Sequence, residues 1–89
     1  MTALVAVASH LEADPLTREV ARLLTNARKE RGMTFRELAL KTGLGQATVV
    51  RYLYGERTTP LDAFVIICDA LQLDPAVVIA EAQRGAGWQ

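Results

Sequence analysis

The sequence predicts an all-α fold: five helices forming one domain, preceded by an N-terminal extension. Three observations carry that expectation. Apolar residues recur at helical spacing, as in Val20, Leu23, Leu24 and Ala27, or Val49, Tyr52 and Leu53. Asp14-Pro15, Thr59-Pro60 and Asp74-Pro75 repeat one start signal, a capping oxygen followed by a Pro whose missing N–H is harmless in a first turn. Gly32 and Gly43 stand where two of the helices must stop.

Residues 1–13 form an N-terminal segment, arm or short helix. Leu4, Val7 and Leu11 share one helical face, but the β-branched valines weaken it, so a frayed terminus and an arm packed on the domain or a partner both stay open. The domain spans residues 14–84, and 85–89 form a tail in which Trp88 is either costly to expose or a disordered terminal aromatic. The first helix starts at Asp14-Pro15, runs to about Arg31 and closes at Gly32. Arg28, Lys29 and Arg31 suit the negative end of its dipole. Thr34 caps the second helix, with Glu37 three residues on as in a capping box. A third helix covers residues 45–54, with Gly45 as its cap. The fourth starts at Thr59-Pro60-Leu61-Asp62, with Leu61, Phe64, Ile67, Cys68 and Leu71 facing inward and Ile66 outward. The fifth opens at Asp74-Pro75, with Val78 and Ile79 inward and Val77 turned away.

Eighty-nine residues are marginal for a lone domain, and oligomerisation commonly adds stability at this size. One cysteine excludes an internal disulfide and a multi-cysteine zinc site, and His10 stands alone. No metal and no cofactor are expected. No nucleophile, base and acid pattern and no phosphate loop appears, so no catalytic residue is assigned and an enzyme is not expected. The N-terminal run lacks the basic region of a signal peptide, and no segment is long enough to span a bilayer. The expectation is therefore a cytoplasmic, nucleoid-associated protein with no evident small-molecule ligand.

Net charge is zero, yet its distribution is uneven: residues 28–57 carry +4, residues 1–27 carry −1 and residues 58–89 carry −3. The positive stretch encloses Thr34–Gly55, where two short helical patterns flank Thr42-Gly43-Leu44-Gly45. That linker is too short for anything but a tight turn, and Gly43 can take the positive φ it needs. Two helices so joined make a helix-turn-helix, whose second helix is suited to a major groove.

Ala39, Gly43 four residues later and Val49 six after that, with the GLGQ run and the continuation ERTTPLDAFVIICDALQLDPAVVI, resemble the lambda-repressor-like family of phage repressors and Cro proteins. The resemblance covers roughly residues 16–82. It implies that Gln46 and Ala47 lead in reading bases, with Thr48, Val50 and Arg51 beside them. Side-chain chemistry agrees: Gln suits an adenine edge, Arg a guanine edge, and Ala or Val a thymine methyl. Thr34, Arg36, Lys41, Tyr54 and Arg57 are placed for phosphates, with Tyr54 alternatively shielding the core. Ile66 and Val77 offer a dimer interface. The chain departs from the family's pattern in Phe35 for a usual Gln, Leu53 for an acid that pairs with the residue at Arg28, Tyr54 for a frequent Asn and Ile66 for a polar residue. The implied function is a sequence-specific double-stranded DNA-binding repressor or regulator, phage-immunity or Cro-like, acting as a homodimer on a pseudo-palindromic operator. The rivals are an antitoxin of a toxin–antitoxin pair and a helical protein-interaction module without DNA binding.

Overall fold

In the computed structural model, residues 14–88 are described; the expectations for residues 1–13 lie outside them. Five helices follow in order: α1 Pro15–Glu30, α2 Phe35–Thr42, α3 Gln46–Leu53, α4 Leu61–Ala70 and α5 Pro75–Gly85. Among the described residues there is no strand, and the fold is all-α as the periodicity predicts.

Three of the five starts have a side-chain cap. The Asp14 carboxylate accepts from the Thr17 N–H at 2.7 Å, and Asp74 accepts from Ala76 N–H at 2.9 Å, each ahead of a Pro in the first turn. Thr34 and Glu37 close a reciprocal capping box, with the Glu37 N–H donating to Thr34 Oγ1 at 3.0 Å and the Thr34 N–H donating to Glu37 Oε1 at 2.9 Å. Hydrogen bonds donated by the Thr34 backbone N–H and hydroxyl hold the Glu37 carboxyl below its usual range. A depressed folded-state pKa stabilises above the unfolded value, so this contribution fades as pH falls through the folded value.

The fourth helix corrects two expectations. Its cap is Pro60, with φ −57° and ψ 151°, rather than Thr59, and no side chain caps it. Pro60 stays extended, so the helix begins one residue later. Leu61, expected to face inward, is 78% exposed. It shares a stripe with Phe64 and Cys68, but as the first helical residue it projects past the neighbours that cover the rest of that stripe.

The core gathers Val20, Leu24 and Ala27 of α1, Leu38 and Ala39 of α2, Val49 and Leu53 of α3, Phe64, Ile67 and Cys68 of α4, and Val78 and Ala82 of α5. Leu23, Tyr52 and Ile79 pack against it half-buried. The α1 helix lies against both α3 and α5, while α2 bridges α3 and α4. Cys68 is fully buried, and burial, aided by the nearby Asp74 charge, pushes its thiol up to about 11. It is a core residue with little thiolate at neutral pH.

Candidate nucleic-acid interface

The turn between α2 and α3 is set by Gly43, at φ 76° and ψ 7°, whose N–H donates to Ala39 O at 2.9 Å. Thr42 Oγ1 donates back to Leu38 O at 2.8 Å and accepts from the Leu44 N–H at 3.3 Å, so one side chain ties the end of α2 to the turn. Leu44 then drops against the core. Gly45 opens α3 in extended geometry with no side-chain cap.

Two contacts from α1 hold the far end of α3. Thr25 Oγ1 donates to Leu53 O at 2.7 Å, satisfying a carbonyl the helix itself leaves open. Gly55, buried at φ 72°, lets the chain cross α1 so closely that a methyl group there would sit 3.4 Å from Ala21 Cβ. Neither Thr25 nor Ala21 stood out in the sequence, because nothing local marks a hydroxyl that bonds to a carbonyl 28 residues away.

With Val49 and Leu53 buried, α3 turns Gln46, Ala47 and Arg51 to the outside, while Thr48 and Val50 sit half-buried at the margins. These are the five residues expected to meet bases, and they occupy one helix of 8 residues. Around them, Thr34, Arg36, Lys41, Tyr54 and Arg57 are all exposed. Among the described residues the ion pairs are Arg22–Glu19 at 2.8 Å and Arg31–Glu30 at 4.0 Å, so Arg36, Lys41, Arg51 and Arg57 make none. Thr34 Oγ1 is engaged within the capping box, where it accepts from the Glu37 N–H.

The departure at Phe35 has a structural counterpart. The Arg28 guanidinium lies over the Phe35 ring, 4.2 Å from its centroid, and Arg28 Nη1 donates to Met33 O at 2.8 Å. Phe35 in turn meets the Tyr54 ring edge-on, with centroids 5.8 Å apart and planes at 76°. Arg28 thus has a ring and a carbonyl where the resembling family supplies an acid, and α1, α2 and the end of α3 are joined through one stack. Leu40, which sequence reasoning passed over, is 75% exposed on α2. It lines a concavity with Arg36, Gly43, Leu44 and Gln46, beside the first residue of α3. Its signal was its place off the Leu38–Ala39 face.

These features together define a helix-turn-helix: a buried Ala and Leu before a left-handed glycine, then a short helix with one face in the core and one bare. A family model described as a helix-turn-helix domain matches residues 19–80, and the chain belongs to that DNA-binding family. No curated protein and no solved structure matches the chain. Among the described residues, no group of three or more His, Cys, Asp or Glu is placed to hold a metal ion, and no single helix is long and apolar enough to cross a membrane.

Proposed function

We propose that the protein is a sequence-specific double-stranded DNA-binding transcriptional regulator, a repressor of the phage-immunity or Cro-like kind, that lays α3 in the major groove of an operator. The observation that carries this reading is the bare face of α3 with exposed cations around it in a chain whose total charge is zero. A purely solvated surface has no need to gather +4 between residues 28 and 57, whereas phosphate attraction requires it. The short side chains of Ala47 and Val50 support the same reading, since they allow close approach to base edges and suit thymine methyls. Gln46 and Arg51 supply directional bonds, and Arg36, Lys41, Arg57, Thr34 and Tyr54 hold the backbone on either side.

The test separates reading from positioning. Operator fragments are first selected from genomic DNA by the wild-type protein. Each variant is then titrated on operator and scrambled duplex at several salt concentrations. Gln46→Ala or Arg51→Ala removes a base contact worth about 1–3 kcal/mol and narrows the gap between operator and scrambled DNA. Lys41→Ala or Arg57→Ala weakens both duplexes together and lowers the salt slope by about one unit. Full discrimination in the Gln46 and Arg51 variants, with its loss in the Lys41 variant, would show that α3 does not read the groove. Absence of binding to any selected fragment would favour a protein-interaction module.

A further inference from the structure

On the α1, α4 and α5 side of the domain lies an apolar groove of about 190 Å³ whose floor and walls include Leu16, Val20, Leu61, Phe64 and Ile79, with Thr58 and Thr59 at one rim. Its most exposed wall is Leu61, the residue whose sequence position promised burial and whose side chain is largely bare. Phe64 and Val20 are already buried from below, so the groove is a hydrophobic seat lacking its upper layer.

We infer that this groove seats the chain's own residues 1–13, with the apolar side chains of Leu4, Val7 and Leu11 covering Leu61 and Ile79. Place is the first reason. The segment joins the domain at Asp14, and the groove wall begins at Leu16, so the tether is only a few residues long. Such a tether gives an effective concentration on the order of millimolar, well above any free partner at ordinary protein levels. Length is the second. Thirteen residues span about 20 Å as a helix and up to about 45 Å extended, enough either way to cross from α1 to α4 and α5. Composition is the third. Within 1–13 the only charged side chain is Glu12, while Leu4, Val7 and Leu11 fall on one face at helical spacing. A mostly apolar segment whose one charge lies next to the tether and an uncharged apolar groove gain from leaving water together.

This inference is independent of DNA binding and bears on assembly. A groove filled in cis is not the surface a second copy uses. The experiment takes the full chain with Thr2→Cys carrying a nitroxide spin label. Cys68 stays unlabelled, being buried and protonated. The methyl resonances of Leu61 and Ile79 are then followed by NMR. In a chain both labelled and isotope-enriched, those signals are expected to lose most of their intensity, while those of Val50 and Leu40 keep theirs. In a mixture of labelled unenriched chain with enriched unlabelled chain, Leu61 and Ile79 are expected to keep theirs. A second variant, Leu4→Asp with Val7→Asp and Leu11→Asp, is expected to restore the Leu61 and Ile79 signals in the labelled chain and to raise binding of an apolar fluorescent dye. Undiminished Leu61 and Ile79 signals in the labelled chain would overturn the inference. So would equal losses in the mixture, which would assign the groove to a second copy. Losses unchanged by the triple substitution would overturn it too.

Discussion

Arg28 illustrates how a single side chain takes up the work of a missing partner. Its guanidinium stacks on Phe35, donates to Met33 O, and leaves Nε buried without a hydrogen-bond partner. A cation over an aromatic face at a partly exposed site contributes about 0.5–1 kcal/mol and a charge-assisted hydrogen bond about 1.5–3 kcal/mol, offset in part by the unpaired buried Nε. Arg28→Met keeps most of the packing and removes both. It should lower stability by about 1–2 kcal/mol, read from chemical denaturation. Because Phe35 also leans on Tyr54, the same variant should loosen Tyr54 and weaken DNA binding beyond the stability loss. A variant as stable as wild type would show that the stack is incidental. The sequence made the problem visible, since Leu53 stands where the resembling family has an acid. The solution was not visible, because ring-to-ring geometry between residues 35 and 54 depends on how three helices meet.

The helix ends show a regularity at the next scale. After α1, α3, α4 and α5 the next two N–H groups fold back on the last turn: Gly32 and Met33 on Lys29 and Arg28, Gly55 and Glu56 on Tyr52 and Arg51, Gln72 and Leu73 on Asp69 and Cys68, and Gly87 and Trp88 on Arg84 and Gln83. This closure needs a left-handed residue just past the cap. Three of the four use glycine, and α4 uses Gln72 at φ 59°. Gln72→Gly removes a side-chain penalty of about 1–2 kcal/mol, partly offset by the entropy of glycine, so a gain of up to about 1 kcal/mol is expected in thermal or denaturant melts. Gly43 is the converse case. At φ 76°, a Cβ would meet nothing within 4 Å, so substitution there is opposed by backbone strain alone. Gly43→Val should destabilise by about 1–3 kcal/mol and misdirect α3, while Gly43→Asn, which tolerates the left-handed region, should fall between. Equal melting temperatures for Val and Asn would contradict the turn's geometry. Starts and stops were therefore legible: Asp14, Thr34, Gly43 and Asp74 all act as the sequence proposes. Thr59 and Leu61 misled because the Thr-Pro pair resembles the other two cap-Pro signals, while the chain keeps Pro60 extended and begins the helix after it.

At the scale of the molecule, charge and apolar exposure bear on assembly. Residues 58–89 carry −3 and include both α4 and α5, the helices that expose Ile66 (41%) and Val77 (51%). On the proposed reading, α3 with its 8 residues would contact only a few base pairs, too few for a unique genomic site, so we propose that two copies bind a pseudo-palindrome as a two-fold dimer. If copies meet through Ile66 and Val77, Asp62, Asp69, Asp74 and Glu81 come close to their like-charged counterparts. Salt then screens a repulsion at the dimer interface while it weakens attraction to phosphate at the DNA face. Dimerisation should therefore not weaken with salt as DNA binding does. Sedimentation of the free protein is expected to show dimerisation unchanged or tighter as salt rises from about 50 to 200 mM, over the range in which DNA affinity falls steeply. Ile66→Asp with Val77→Asp should leave the fold intact, since both side chains already face solvent. It should nonetheless yield a monomer that no longer distinguishes operators whose half-sites lie about 34 Å apart from those with altered spacing. A wild-type protein that sediments as a monomer and still protects its operator as a monomer would rule out the paired arrangement.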